Sequence, residues 1–133
     1  MAKYEHLPIY RKSFALAVYL EQVTHGFSRH HKYGLGVRLQ EAAADMIARV
    51  IRAQNTEGAS RARQLEELRI EVEVLKNFLH LAKEVRAFKS FGAYGHAADL
   101  TVEVGRQIEG WLKHTKAQRA PELRPTNSKE GRP

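Results

Sequence analysis

Leu65-Glu66-Glu67-Leu68-Arg69-Ile70-Glu71-Val72-Glu73-Val74-Leu75-Lys76-Asn77-Phe78-Leu79-His80-Leu81-Ala82-Lys83-Glu84-Val85-Arg86-Ala87-Phe88 decides the fold of this chain. It holds neither glycine nor proline, and its apolar residues recur at helical and not alternating spacing. At 100° per residue Leu65, Leu68, Val72, Leu75, Leu79 and Ala82 form one apolar face. Ile70, Val74, Phe78, Leu81, Val85 and Phe88 form a second face beside it. Together they span roughly 200°, whereas a helix serving one core needs an apolar stripe of about 100° or somewhat more. The second face needs a cover, either a folded-over segment of the same chain or another subunit; we expect the subunit. The remaining arc is split by sign, with Arg69, Lys76 and Lys83 every seven residues on one edge, His80 beside them, and Glu66, Glu73 and Glu84 on the other.

Outward from this stretch, glycine and proline mark the boundaries. Pro8 suits a first helical turn, because its missing N–H would be unpaired there anyway. The run Ile9 to Thr24 then reads as a helix, and Phe27 to Lys32 as a short basic connection. A second helix is expected from about Tyr33–Leu35 to Gln54, with Leu35, Leu39, Ala43, Met46 and Val50 inward and Arg38, Arg49 and Arg52 opposite. Asn55-Thr56-Glu57-Gly58 reads as a turn with Ser60 as N-cap, and the third helix spans about 59–88. Lys89 to Gly95 reads as a turn before a fourth helix, about 94–118, on which Arg106 and Lys113 lie one heptad apart. Three prolines and a glycine after Ala120 predict a disordered basic tail over 119–133 behind a single domain of residues 1–118. The expected architecture is all-α, an antiparallel up-down four-helix bundle.

The 133 residues are 43% hydrophobic and 28% charged, a globular composition, with a net charge of +7. The tail holds four basic and two acidic residues, which leaves +5 on the bundle. No cysteine is present, so disulfide scaffolds, thiolate metal sites and cysteine nucleophiles are excluded. The longest stretch without Asp, Glu, Lys or Arg, Ser90 to Ala98, is far short of the ~20 residues of a membrane span. Met1 to His6 lacks the apolar run of a signal peptide, and a cytoplasmic protein is expected.

The chemistry of an active site is missing from the pattern. None of the seven histidines has Asp or Glu three residues before it, as a di-metal bundle requires. Gly34-x-Gly36 lacks the third glycine and the Gly-Lys-Ser/Thr ending of a phosphate loop. No catalytic residue, metal or cofactor is expected. What remains is basic charge on helices: Arg69, Lys76, His80 and Lys83, with Arg38, Arg49, Arg52, Arg106 and Lys113, as candidate nucleic-acid contacts. The segment from Arg86 to Tyr94 also interleaves cations and aromatics, which suits either a nucleic-acid surface or a plug for the end of the core.

Four short motifs carry a resemblance. They are Leu7-Pro8-Ile9-Tyr10, then Lys32-Tyr33-Gly34-Leu35-Gly36 with Arg38-Leu39, then Ile51-Arg52-Ala53-Gln54-Asn55, then Glu103-Val104-Gly105-Arg106-x-Ile108-x-Gly110-Trp111. In this order and spacing, over roughly Leu7 to Lys116, the chain resembles Avd, the accessory variability determinant of diversity-generating retroelements. The resemblance implies a four-helix protomer in a homopentameric barrel and no catalysis of its own. It also implies partnership with the retroelement's reverse transcriptase, and binding of template RNA, with DNA as a second nucleic acid. Its role would be to enable mutagenic cDNA synthesis. Lys76 and His80 fall where the family places cationic residues. The rival is the four-helix family linked to ribosomal RNA intervening sequences, an RNA- or protein-binding scaffold, which shares Tyr-Gly-Leu-Gly. It usually ends the second helix with Ile-Ala-Glu-Gly, where this chain has Ile51-Arg52-Ala53-Gln54.

Overall fold

A computed structural model of the chain describes residues 6–131, with side chains from residue 6 to residue 118. Its elements are α1 (Pro8–Thr24), α2 (Arg29–His31), a π-helical turn (Lys32–Gly36), α3 (Val37–Gln54), α4 (Gly58–Glu84) and α5 (Phe91–Gly131). Among the described residues there is no strand. The four long helices form a bundle in which α1 and α4 sit at opposite corners, each packed between α3 and α5. Short connections make sequence neighbours antiparallel. α5 also runs against α1, since Tyr19 Oη donates to the Ala93 carbonyl at 3.2 Å while Lys12 pairs with Glu103 at 2.6 Å.

The α4 stripe is the floor of the core. Leu65, Leu68, Leu75 and Ala82 have no exposed surface, and Leu79 and Val72 almost none. They meet Leu16 and Leu20 of α1, Leu39, Met46 and Val50 of α3, and Val104, Ile108 and Leu112 of α5 in one apolar cluster. Pro8 occupies the first turn of α1 behind Leu7, as its missing N–H favours.

Helix boundaries differ from the sequence reading in five places. The second helical segment begins at Arg29, and Lys32–Gly36 winds as a π-helix, where the sequence suggests a connection followed by an ordinary helix start. Gly36 is buried there, and a Cβ on it would lie 3.4 Å from Thr24 Cβ. The N-cap of α4 is Glu57 and not Ser60, because Gly58 takes φ +57, a left-handed step that glycine makes without strain. α4 stops at Glu84 and not at Phe88, because Arg86 adopts φ 62. The N–H of Ala87 then donates to the Ala82 carbonyl at 2.8 Å and that of Arg86 to the Lys83 carbonyl at 3.0 Å, a Schellman ending with arginine where glycine is usual. Finally, α5 starts at Phe91, ahead of its glycines, because Ser90 Oγ accepts the Ala93 N–H at 3.0 Å and caps it. α5 continues to Gly131, past the expected Gln118. The side chains of the expected tail lie outside the described residues.

Candidate nucleic-acid interface

The cationic edge of α4 borders α5. Arg69, Lys76 and Arg106 line a groove of about 390 Å³ between the two helices, floored by Val72, Thr101, Gly105 and Ile108. Lys76 also reaches the adjoining hollow formed by Leu79, Tyr94, Ala98 and Val102. Further along, the Lys83 ammonium sits 5.2 Å from the Tyr94 ring centroid. The groove exists because α5 turns small residues toward α4 here.

Carboxylates neutralise part of this edge. Arg69 is bidentate to Glu109, at 2.7 Å and 2.8 Å, with both side chains about half exposed. Lys76 approaches Glu73 at 3.5 Å, while Lys83 and His80 approach Glu84 at 3.3 Å and 3.5 Å. Exposed pairs of this kind contribute under about 1 kcal/mol, so a phosphate can compete for the cations. Arg106 makes no ion pair among the described residues, and neither does Lys113, which lies one heptad further along α5.

The α3 candidates are not part of this edge. Arg49 faces α4, where it is bidentate to Glu71 at 2.8 Å and 3.4 Å and donates to Gln64 at 3.0 Å. With both charged partners less than a third exposed, it is a pin between α3 and α4. Arg38 lies over the Phe78 ring at 5.4 Å, and Arg52 is exposed near the end of α3. Arg61, which the sequence pattern does not single out, donates to the Ala53 and Gln54 carbonyls at the end of α3 and stacks 5.3 Å from the Trp111 centroid. A cation three residues into a helix, after a tight turn, is the available signal for such a cap.

The second face of α4 is open in the protomer. Ile70 is 59% exposed, and Val74, Leu81 and Val85 are between 41% and 46% exposed. Ile70, Val74, Phe78 and Leu81 line a shallow apolar trough of about 500 Å³. Phe78 serves this face and the core at once, whereas Phe88 leaves the face. Phe78 is half-buried against the core, and Phe88 is inside it, edge-on to Phe27 at 5.2 Å and to Tyr94 at 5.8 Å. The chain reversal at Arg86 carries Phe88 off the helical pattern, so it plugs the end of the bundle.

Two glutamates titrate below their usual range, Glu109 through its hydrogen bonds with Arg69 and Glu103 through that with Lys12. The folded value lies below the unfolded one. The stabilisation is therefore complete above the unfolded value and lost as pH falls through the folded one. Arg69→Ala should return Glu109 to the ordinary carboxylate range in a carboxyl NMR titration, with less than about 1 kcal/mol lost at neutral pH.

Among the described residues no three His, Asp or Glu side chains gather as a metal site, and no helix is long and apolar enough to cross a membrane. A family model described as bAvd-like matches residues 8–115. No curated protein matches the chain.

Proposed function

Since the chain belongs to the bAvd-like family, an accessory and non-catalytic one, we propose that it is the nucleic-acid-binding accessory protein of a diversity-generating retroelement. In this reading it works with the retroelement's reverse transcriptase on the template RNA, as a cytoplasmic homopentamer. The family match, over residues 8–115, is the observation that carries the reading. Two features of the protomer support it. The open face of α4 offers one contact surface, and Phe14 and Val18, 50% and 41% exposed on α1, offer a different one. A ring needs two such unlike surfaces on each subunit. The α4–α5 edge gathers Arg69, Lys76 and Arg106 at one groove, and symmetry would repeat it on every subunit.

The role is tested by cDNA synthesis on template-repeat RNA by the cognate reverse transcriptase, with and without this protein. Product that depends on the protein is expected; equal product without it overturns the reading. The interface is tested by a salt titration of RNA binding with wild type and Lys76→Glu/Lys83→Glu/Arg106→Glu. Every phosphate that loses its cation should flatten the slope of log K against log salt by about 0.7–0.9. Superimposable titrations would move the site off this edge.

A further inference from the structure

The structure gathers at one end of the bundle the connection between α1 and α3 and the connection between α4 and α5. Phe27 of the first meets Phe88 of the second, and a Cβ on Gly26 would lie 3.1 Å from Lys89 Cε. The two segments, 25–36 and 85–91, therefore form a single surface. They contain Arg29, Lys32, Arg86 and Lys89 and not one Asp or Glu, so four of the seven units of net charge come from here. This is unlike the α4–α5 edge, where most cations already face a glutamate.

The same surface carries the two most exposed large apolar side chains among the described residues, Phe91 at 74% and Tyr33 at 71%. Each sits in a cationic setting: the Lys32 ammonium is 6.0 Å from the Tyr33 centroid, and Phe91 tilts against Tyr94, over which Lys83 lies. Tyr33 projects from the π-helical turn, a form of helix that recurs at functional sites. Single exposed aromatics are ordinary on protein surfaces. Arg86 makes these two less ordinary. It is the one non-glycine residue with positive φ among those described, at a position where glycine would relieve strain, and its side chain is exposed. A guanidinium kept there at a cost to the fold is a sign of use.

We propose that this end of the bundle is a platform for single-stranded nucleic acid, with bases stacking on Tyr33 and Phe91 and phosphates meeting Arg29, Lys32, Arg86 and Lys89. The proposal rests on the nucleic-acid-binding reading above and adds a second site of different selectivity. Cations serve a single strand and a duplex alike, but an exposed ring has a partner only where bases are unstacked. The edge along α4 and α5 binds by charge alone; the end selects for strand state.

The test is fluorescence anisotropy at fixed salt with a labelled oligouridine of about twenty nucleotides and an RNA duplex of the same length. Tyr33→Ala/Phe91→Ala should weaken oligouridine binding by about 10- to 100-fold and leave duplex binding within about 2-fold. Tyr33→Phe/Phe91→Tyr, which keeps both rings, should bind both as wild type does. Arg86→Gly should raise Tm by a few degrees and yet weaken oligouridine binding, two effects of opposite sign that a purely structural arginine would not give. Undiminished oligouridine binding by the alanine variant overturns the platform and turns this surface toward a protein partner. Equal loss on both RNAs overturns the stacking. A wild-type protein that binds neither RNA overturns this proposal and the nucleic-acid reading together, whereas binding without strand selectivity overturns this proposal alone.

Discussion

Ile70→Glu/Leu81→Glu is expected to scatter light as a 15.2 kDa protomer at concentrations where wild type has a multiple of that mass. Both side chains are about half exposed in the protomer, so glutamate there meets water and the bundle keeps its helical circular dichroism. In an assembly that covers this face, the same two carboxylates would be buried without partners, and dissociation is the cheaper outcome. Phe78→Glu would be a poorer test, since Phe78 also packs against the core and its loss confuses folding with assembly. A wild type that itself scatters as 15.2 kDa would overturn the assembly.

Leu79→Ala, only two residues from Leu81, is expected to do the reverse. Leu79 is 1% exposed, and truncating it leaves a cavity between helices that the rigid stripe above and below cannot collapse. The loss should be about 3–5 kcal/mol, read from urea denaturation at a fixed protein concentration. For a domain of this size that lowers Tm by roughly 10–25 °C. Leu81→Ala at the same concentration should cost far less of the protomer's own stability. Equal destabilisation by the two would mean that both faces of α4 belong to one core.

This contrast marks what can be read in the sequence. Periodicity reports which residues lie on one side of a helix, so the six-residue stripe from Leu65 to Ala82 is legible to the residue, and so is the existence of a second face. The partner across a helix interface leaves no such trace. Nothing on α3 or α4 alone says that Glu109 comes round to Arg69, or that Glu71 and Gln64 hold Arg49, because those meetings depend on how the bundle closes. Phe88 departs from its expected face for a related reason. One left-handed residue at Arg86 redirects the chain, and arginine gives no warning of it, as glycine would. α5 begins earlier than its pattern suggests because Gly92 and Gly95 read as breakers, while the cap that overrides them is a single serine hydroxyl. Tyr33 stands in a motif that carries no role for its ring, and the pattern around Phe91 leaves open whether its aromatics face nucleic acid or plug the core, since exposure is a property of the finished end of the bundle.

The order in which the helices pack has a consequence for how the chain comes into being. α1 against α3, α3 against α4 and α4 against α5 each join sequence neighbours, and only α1 against α5 closes a long loop. During synthesis three helices can therefore dock as they emerge, each at the small entropic cost of a short connection. The trough between α1 and α4 then stays open until α5 arrives to fill it. Folding should be fast up to that point, as for other chains dominated by local contacts, and a single late closure should set its rate. Until then a nascent chain shows its neighbours on the same messenger both apolar faces of α4.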